Sequence, residues 1–159
     1  MVKQVKQGDL ALLEHPVAKE LLASNIPARL AYVWTDGTPR VLPIWFHWNG
    51  RELVLGTSPN AAKLKALTQN PKVALTIDDN TFPHKVLLIR GTAQVNTVEG
   101  VVPEWAQAAE RYFGPEKGKA WVEQIRTKMG SRPVSPSHRN GSECWTSRSD
   151  FREHFRTEH

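Results

Sequence analysis

Residues 40–50, RVLPIWFHWNG, decide how the rest of the chain is interpreted. Their alternation predicts a strand that ends at Asn49-Gly50, a pair typical of a tight hairpin turn. Pro43 cannot donate a hydrogen bond to a neighbouring strand, so this strand is either an edge strand or bulged there. Trp45 and Trp48 stand at odd and even positions and should point to opposite faces. The backbone left unpaired by Pro43 is free to serve a ligand.

The segments on either side predict a mainly β domain with short helices. Further strands are predicted at residues 28–35, 51–56, 72–77 and 85–95. Helical spacing predicts two short pieces within 9–24, a helix that begins at Ser58, and helices over 103–113 and 115–128. Short strands with few helices between them indicate an antiparallel sheet or barrel. The chain contains neither GxGxxG nor GxxxxGK[ST], the usual dinucleotide and P-loop motifs.

Length and composition exclude several classes of protein. The 159 residues suffice for one domain with a real core. No apolar run reaches the roughly 18 residues of a membrane span, and Met1–Leu10 lacks the apolar centre of a secretory signal. The net charge of +5 comes from scattered basic residues, which argues against nucleic-acid binding. Cys144 is the single cysteine, which fits a reducing cytoplasm.

Two cationic residues are candidates for holding an anion, each with a plainer alternative. The predicted helix that begins at Ser58 offers free amides near Lys63, an arrangement that binds phosphate. The alternative is a capped surface helix with a solvated lysine. Arg40 follows a tight turn and begins the edge strand, but an arginine there can also be simply solvated. For Trp45 the alternative to a ligand contact is packing in the core or at a dimer interface.

No residue set predicts metal binding or nucleophilic catalysis. His15, His47 and His84 do not form pairs at metal-ligand spacing and lack cysteine partners. There is no GxSxG and no recognisable pair of catalytic carboxylates, so the catalytic residues stay unknown. If the protein is an enzyme, a cofactor carries the chemistry and the chain supplies binding and orientation.

Three segments in this order, ARLAYVWTDGTPRVLPIWFHWNGRELVLGTS, AAKLKALTQNPKVALTIDD and KVLLIRGTAQV, resemble the pyridoxamine 5′-phosphate oxidase-like family of FMN-binding split barrels. The resemblance extends from about Pro16 to about Gly130. It implies a six-stranded antiparallel split β-barrel that forms a homodimer, with flavin at the subunit interface and a small-molecule substrate.

The resemblance also implies roles for individual residues. Arg40 and Lys63 are similar to phosphate ligands, and Thr57 and Ser58 would contribute hydroxyls. The strand beside the flavin ring would be formed by Val41, Leu42, Pro43, Ile44 and Trp45. The implied activity is hydride transfer between FMN and an unidentified small organic substrate.

Departures from the family pattern keep two alternatives open. The oxidase has a basic residue where Trp45 stands and Ser-Arg where Ala61-Ala62 stand, and its pyridoxal phosphate contacts are not recognisable. In these positions the chain is more similar to the actinobacterial-type branch, which includes users of a deazaflavin cofactor. The alternatives are therefore a deazaflavin-dependent reductase and a non-catalytic flavin- or haem-binding protein.

The last 29 residues do not match the domain that precedes them. Residues 1–130 are predicted to form the split-barrel domain, whereas 131–159 have almost no apolar periodicity and predict a disordered tail. The family instead ends in a strand of the type RISIxPxWVxVLDFE, which closes the sheet.

A shifted reading of the same gene recovers that strand. Codons permitted for Arg132–Ser147, read two nucleotides later, can spell ARISIAPEWVGVLDF, followed by glutamate. Most of this reading depends on free codon choice, but Glu143-Cys144-Trp145-Thr146 can only give Val or Met, then Leu, then Asp. The sequence therefore predicts a frameshift, in the gene or in its recorded sequence, that replaced the closing strand.

Overall fold

A computed structural model describes residues 9–58, 60–130 and 141–151. The chain begins with a 3-10 helix, Leu10–Glu14, and continues through α1 (Pro16–Ala23), β1 (Ala28–Val33), β2 (Pro39–Ile44), β3 (His47–Trp48), β4 (Leu53–Thr57), α2 (Ala62–Gln69), β5 (Lys72–Asp78), β6 (Val86–Glu99), α3 (Pro103–Phe113), α4 (Pro115–Gly130) and β7 (Gly141–Phe151).

The strands form one antiparallel sheet in the order β2-β1-β5-β6-β7-β4-β3. Its two end strands, β2 and β3, are separated in the chain only by Trp45 and Phe46. The sheet must therefore curl until its ends nearly meet, and it stays open at this bend. If β2 and β3 are counted as one bent strand, the sheet has the six strands of the predicted split barrel. Pro43 lies in β2, which pairs only with β1, so the edge-strand interpretation is confirmed.

The core lies on the inner face of the curled sheet. Leu42 is opposite Leu30, Leu30 opposite Leu75, and Leu75 opposite Ile89, so one apolar row crosses four strands. Directly opposite residues share a face of the sheet, which explains why these side chains bury together. Leu21 of α1 and Leu67 of α2 cover this face. Truncating such a buried leucine to alanine costs about 2–5 kcal/mol.

Helix α2 begins later than the sequence predicts. Ser58 was expected to cap a helix that continues directly into Pro59, but the helix begins at Ala62, and its N-cap residue Ala61 makes no side-chain capping bond. Ser58 instead accepts a backbone hydrogen bond from Ala61 at 3.0 Å, which closes a turn before the helix. Lys63 consequently lies in the first turn of α2.

The prediction of a disordered tail is wrong for Gly141–Phe151, which form β7 between β6 and β4. Without a strand there, the backbone groups of β6 and β4 would have no partner, and backbone pairing depends little on which side chains the inserted segment carries. Residues 131–140 and 152–159 of the predicted tail lie outside the described residues. The frameshift and the domain boundary at residue 130 stay predictions. Within the described parts of the chain, no helix has both the length and the hydropathy needed to cross a bilayer.

Candidate cofactor site

The bend between β2 and β3 forms one wall of an open groove of about 400 Å³, here called the Trp45 groove. Its lining comes from the residue before β1, from the end of β2 and the bend that follows, from β4, and from α3 and α4: Pro27, Pro43, Ile44, Trp45, Gly56, Trp105 and Trp121. Three residues predicted to lie beside the flavin ring thus line one groove. A mostly apolar concave surface of this size suits a small ligand.

Trp45 is held in the groove by aromatic packing. Its ring stacks on Tyr112, with centroids 5.0 Å apart and an interplanar angle of 11°. Phe113 and Trp121 meet the same ring edge-on at 4.7 and 5.4 Å. The Tyr112 hydroxyl donates to the carbonyl of Ile26 at 3.2 Å, and burial raises the pKa of Tyr112. The structure thus shows Trp45 packed against other aromatic side chains, which was the alternative to a ligand contact. A contact between this ring and a cofactor stays a prediction.

Gly56 determines how closely α3 approaches the sheet. A Cβ at this position would lie 2.6 Å from the ring of Trp105, closer than side chains pack. Trp105 in turn meets Trp121 edge-on at 5.1 Å. The missing side chain of Gly56 therefore lets an indole ring lie directly on the backbone of β4 and form the floor of the Trp45 groove.

Thr57 and Lys63 come together at the end of β4. Lys63 donates from Nζ to Thr57 Oγ1 at 2.6 Å, and the Thr57 side chain is buried. Burial lowers the pKa of Lys63 below its usual 10.5. Among the residues whose side chains the structure describes, no carboxylate lies within 4 Å of this ammonium. A half-buried cation without a counter-charge has the properties of an anion ligand.

Arg40 lies at the beginning of β2, opposite Tyr32 of β1. Its guanidinium carbon is 5.5 Å from the ring centroid of Trp34, and the side chain is exposed. Helix α2, which carries Lys63, packs against β1, so both cations are supported by the same strand.

The other predicted site residues have different environments. Val41 is exposed on the outer face, whereas Leu42 and Ile44 face the core. Ser58 is exposed after the end of β4, one residue from Thr57. Side chains of β2 therefore alternate between the two faces, and only part of the predicted set is available to one ligand.

The aromatic residues of α3 and α4 were not predicted as site residues. Trp105 and Tyr112 are seven residues apart, which puts them on one helical face and was the available signal. Trp45, which stacks on Tyr112, lies in the bend between β2 and β3 far earlier in the chain, and that pairing was not readable from spacing. Within the described ranges, no group of three or more His, Cys, Asp or Glu side chains could hold a metal ion.

Comparisons with known proteins agree with this architecture. The F420 reductase structure has a TM-score of 0.57 and 24% identity, over 82% of this chain and 91% of that one. The conserved hypothetical protein Rv2991 from Mycobacterium tuberculosis has a TM-score of 0.59 and 21% identity, over 91% and 84%. HutZ, the haem storage protein from Vibrio cholerae, has a TM-score of 0.53 and 18% identity, over 84% and 89%. At these identities the likeness shows the fold alone.

The search of curated proteins found no match to this chain. The family profile described as pyridoxamine 5′-phosphate oxidase matches residues 15–134, which include every strand except β7 as well as both candidate cations. The chain therefore belongs to the pyridoxamine 5′-phosphate oxidase family and has its split-barrel fold.

Proposed function

We propose that this protein is a flavin-dependent oxidoreductase that transfers hydride between FMN and a small organic substrate. The observation that carries the proposal is the pair formed by Lys63 and Thr57, a half-buried ammonium fixed on a buried hydroxyl without a carboxylate among the described residues. The proposed assembly is a homodimer with flavin at the interface, in the cytoplasm.

The Lys63 pair fits the phosphate of FMN on charge and on donors. The ammonium has three N–H groups, and Thr57 accepts one of them. Phosphate oxygens would accept the others, and Arg40 of β2 would add charge. Because each charged hydrogen bond contributes about 1.5–3 kcal/mol, the loss of Lys63 should weaken FMN binding by about tenfold to a hundredfold.

The Trp45 groove fits the ring of the cofactor and its substrate. Its walls are apolar and aromatic, and the packed rings of Trp45, Trp105 and Trp121 keep their orientation without a ligand. A bound flavin supplies hydride transfer. The chain's own contribution is to orient two flat molecules and to exclude water from the space between them.

A deazaflavin-dependent reductase is the second candidate, and Trp45 favours it. An uncharged indole occupies a position where the resemblance to the oxidase predicts a basic residue, and F420 reductase is among the fold neighbours. Non-catalytic binding of flavin or haem is the third candidate, which the fold of HutZ keeps open. In all three candidate functions the ligand would bind to the same split barrel.

Absorbance of the purified protein, followed by titration with FMN, the deazaflavin F420 and haemin, tests the proposal. We expect a flavin spectrum and saturable FMN binding that is weakened in Lys63→Ala. Lys65→Ala is the matched control, because Lys65 is exposed on the same helix and should bind FMN normally.

Each other outcome has a defined meaning. Tight F420 binding with weak FMN binding would replace the first candidate by the second, and a Soret band with haemin alone would favour the third. FMN affinity that is equal in Lys63→Ala and the unchanged protein would show that the phosphate site is misplaced. Sedimentation of the FMN-bound protein as a monomer would refute the interface site.

A further inference from the structure

A second concave surface is lined by other residues, two of which form β3, and is here called the Arg111 pocket. It has a volume of about 450 Å³ and lies between the 3-10 helix, α1, β3 and α3. Its walls include Leu10, Leu13, Leu22 and Trp48, and its polar groups include His47 and Arg111. None of these six residues lines the Trp45 groove.

Arg111 gives this pocket an unbalanced positive charge. No carboxylate lies within 4 Å of its guanidinium among the residues that the structure describes. The other lining cation, Lys19, is already paired with Glu14 at 2.6 Å. An arginine stays protonated at every physiological pH, so the charge of Arg111 cannot be relieved by proton loss.

The hydrogen bonds of Arg111 are also incomplete. Nη2 donates to the carbonyl of Phe46, and Nη1 makes a long contact of 3.4 Å with the carbonyl of Leu22. Nε is buried without an acceptor within the described part of the chain. Since a guanidinium carries five N–H groups, two carbonyls leave it short of acceptors. The guanidinium carbon of Arg111 lies 4.7 Å from the ring centroid of Phe46 and 5.0 Å from that of Tyr112. Packing on these two rings holds the guanidinium in place.

We propose that the Arg111 pocket binds a small organic acid, with the carboxylate at Arg111 and an apolar body between Leu10, Leu13 and Leu22. Arg111 is the lining charge without a counter-charge among the described residues, since Lys19 and Glu14 of the same pocket pair with each other, and one such cation beside Leu10, Leu13 and Leu22 matches one carboxylate on an apolar molecule. A phosphate ester fits less well, because two negative charges would meet one uncompensated cation. His47, whose ring lines the same pocket, is available as a neutral second donor.

The test is an NMR titration of the full-length protein with benzoate, and with benzamide as the uncharged molecule of the same shape. We expect saturable shifts of the His47 ring and the Leu13 methyl signals, with benzoate binding about tenfold more tightly than benzamide. The same shifts in Lys63→Ala would show that benzoate does not act through the proposed FMN site, so this proposal can fail or succeed independently of the first.

Variants at the rim keep the test valid even if Arg111→Gln does not fold. Leu10 lines the pocket and is 56% exposed, so its replacement should leave the core intact. Both Leu10→Glu and Leu10→Gln lose the apolar contact with the ligand, but only Leu10→Glu adds a negative charge, so it should bind benzoate about threefold to tenfold more weakly than Leu10→Gln, which has the same size. Equal affinity for benzoate and benzamide, no saturable shift, or identical effects of the two Leu10 variants would each overturn the proposal. In that case Arg111 serves only to hold α3 against α1 and the bend.

Discussion

Lys63 Nζ lies 2.6 Å from Thr57 Oγ1, and this hydrogen bond joins the first turn of α2 to the end of β4. Among the described residues, Thr57 is the one polar side chain that is buried. A lysine on a surface helix normally extends into water, but this one is directed inward and fixed. The bond therefore holds a cation in place before any anion binds, which lowers the entropic cost of binding.

The protonation of Lys63 should make FMN affinity depend on pH in the alkaline range. Burial lowers the pKa of this ammonium below 10.5, so in the free protein it loses its proton at a lower pH than an ordinary lysine does. Affinity for FMN should then decrease as the pH rises, starting below 10.5. Fluorescence titrations across this range measure the effect. Lys63→Arg keeps its charge and should show no such decrease.

Unlike FMN affinity, which should decrease as the pH rises, the stability of the cofactor-free protein should increase with pH. Because the folded pKa of Lys63 is lower than the unfolded one, the unfolded chain binds the proton more tightly. The contribution of Lys63 to the free energy of unfolding therefore increases with pH between the lowered pKa and 10.5. Urea denaturation at several pH values gives the free energy of unfolding of the unchanged protein and of Lys63→Met. A difference between them that is constant with pH would contradict the burial of the ammonium.

Gly56→Ala should disrupt the floor of the Trp45 groove. The added Cβ would lie 2.6 Å from Trp105, so the ring or the strand must move. Forcing extra volume into a packed site costs about 1–3 kcal/mol. We expect a lower midpoint of urea denaturation, altered tryptophan fluorescence and weaker cofactor binding. In a Trp105→Leu background the same substitution should cost less, and additive costs would show that the two residues do not interact.

Much of the fold was predictable because local patterns and packing agree. The proline at the start of α3 and the glycine between α3 and α4 marked both helices, and the apolar, β-rich runs at 28–35 and 72–77 marked β1 and β5. The beginning of α2 was missed because Ser58 takes part in a preceding turn instead of capping the helix. Capping residues and turn residues are chemically alike, so sequence alone does not separate them.

The candidate site was less predictable than the fold. Lys63 was a candidate from its place near the start of a predicted helix, Thr57 was added by the family resemblance, and the structure brings the two into contact. The aromatic neighbours of Trp45 come from helices far along the chain, and Arg111 reaches the carbonyl of Phe46 across a similar separation. Such contacts depend on how the helices dock on the sheet, which no local spacing records.

His47 should titrate at a lower pH than an ordinary histidine. Burial is the main reason for its lowered pKa, the charge of Arg111 adds to it, and Glu104 opposes it. Lys19 and Glu14 also line this pocket but neutralise each other. An NMR titration of the His47 ring should show the pKa rising in Arg111→Gln and falling further in Glu104→Gln. Shifts in the same direction would contradict the assigned roles of these charges.

The same lowered pKa should cost stability in mild acid. The unfolded chain protonates His47 near 6.5, whereas the folded chain resists protonation. The contribution of His47 to the free energy of unfolding is therefore retained above 6.5 and lost as the pH falls below it. Replacing His47 by Gln should flatten this part of the stability curve, and an unchanged curve would show that another group is responsible.

Strand β7 occupies a central position in the sheet although its sequence is mostly polar. It pairs with β6 on one side and with β4 on the other, yet GSECWTSRSDF contains few apolar residues. Central strands usually bury at least one face and carry apolar residues there. A shifted reading with permitted codons would place WVGVLDF at residues 141–147, so the predicted frameshift would account for the missing apolar strand.

Two measurements test whether this tail is out of frame. Resequencing the DNA should show codons that give WVGVLDFE in the shifted frame. Any other shifted sequence would contradict the frameshift hypothesis. A chain whose residues from 133 onward follow the shifted frame should also be more stable, because burying each Val or Leu contributes about 1.5–3 kcal/mol. At about 2–4 °C per kcal/mol for a chain of this size, a single newly buried Val or Leu should already raise Tm by about 3–12 °C. An equal or lower Tm would mean that the polar strand already satisfies the needs of this position.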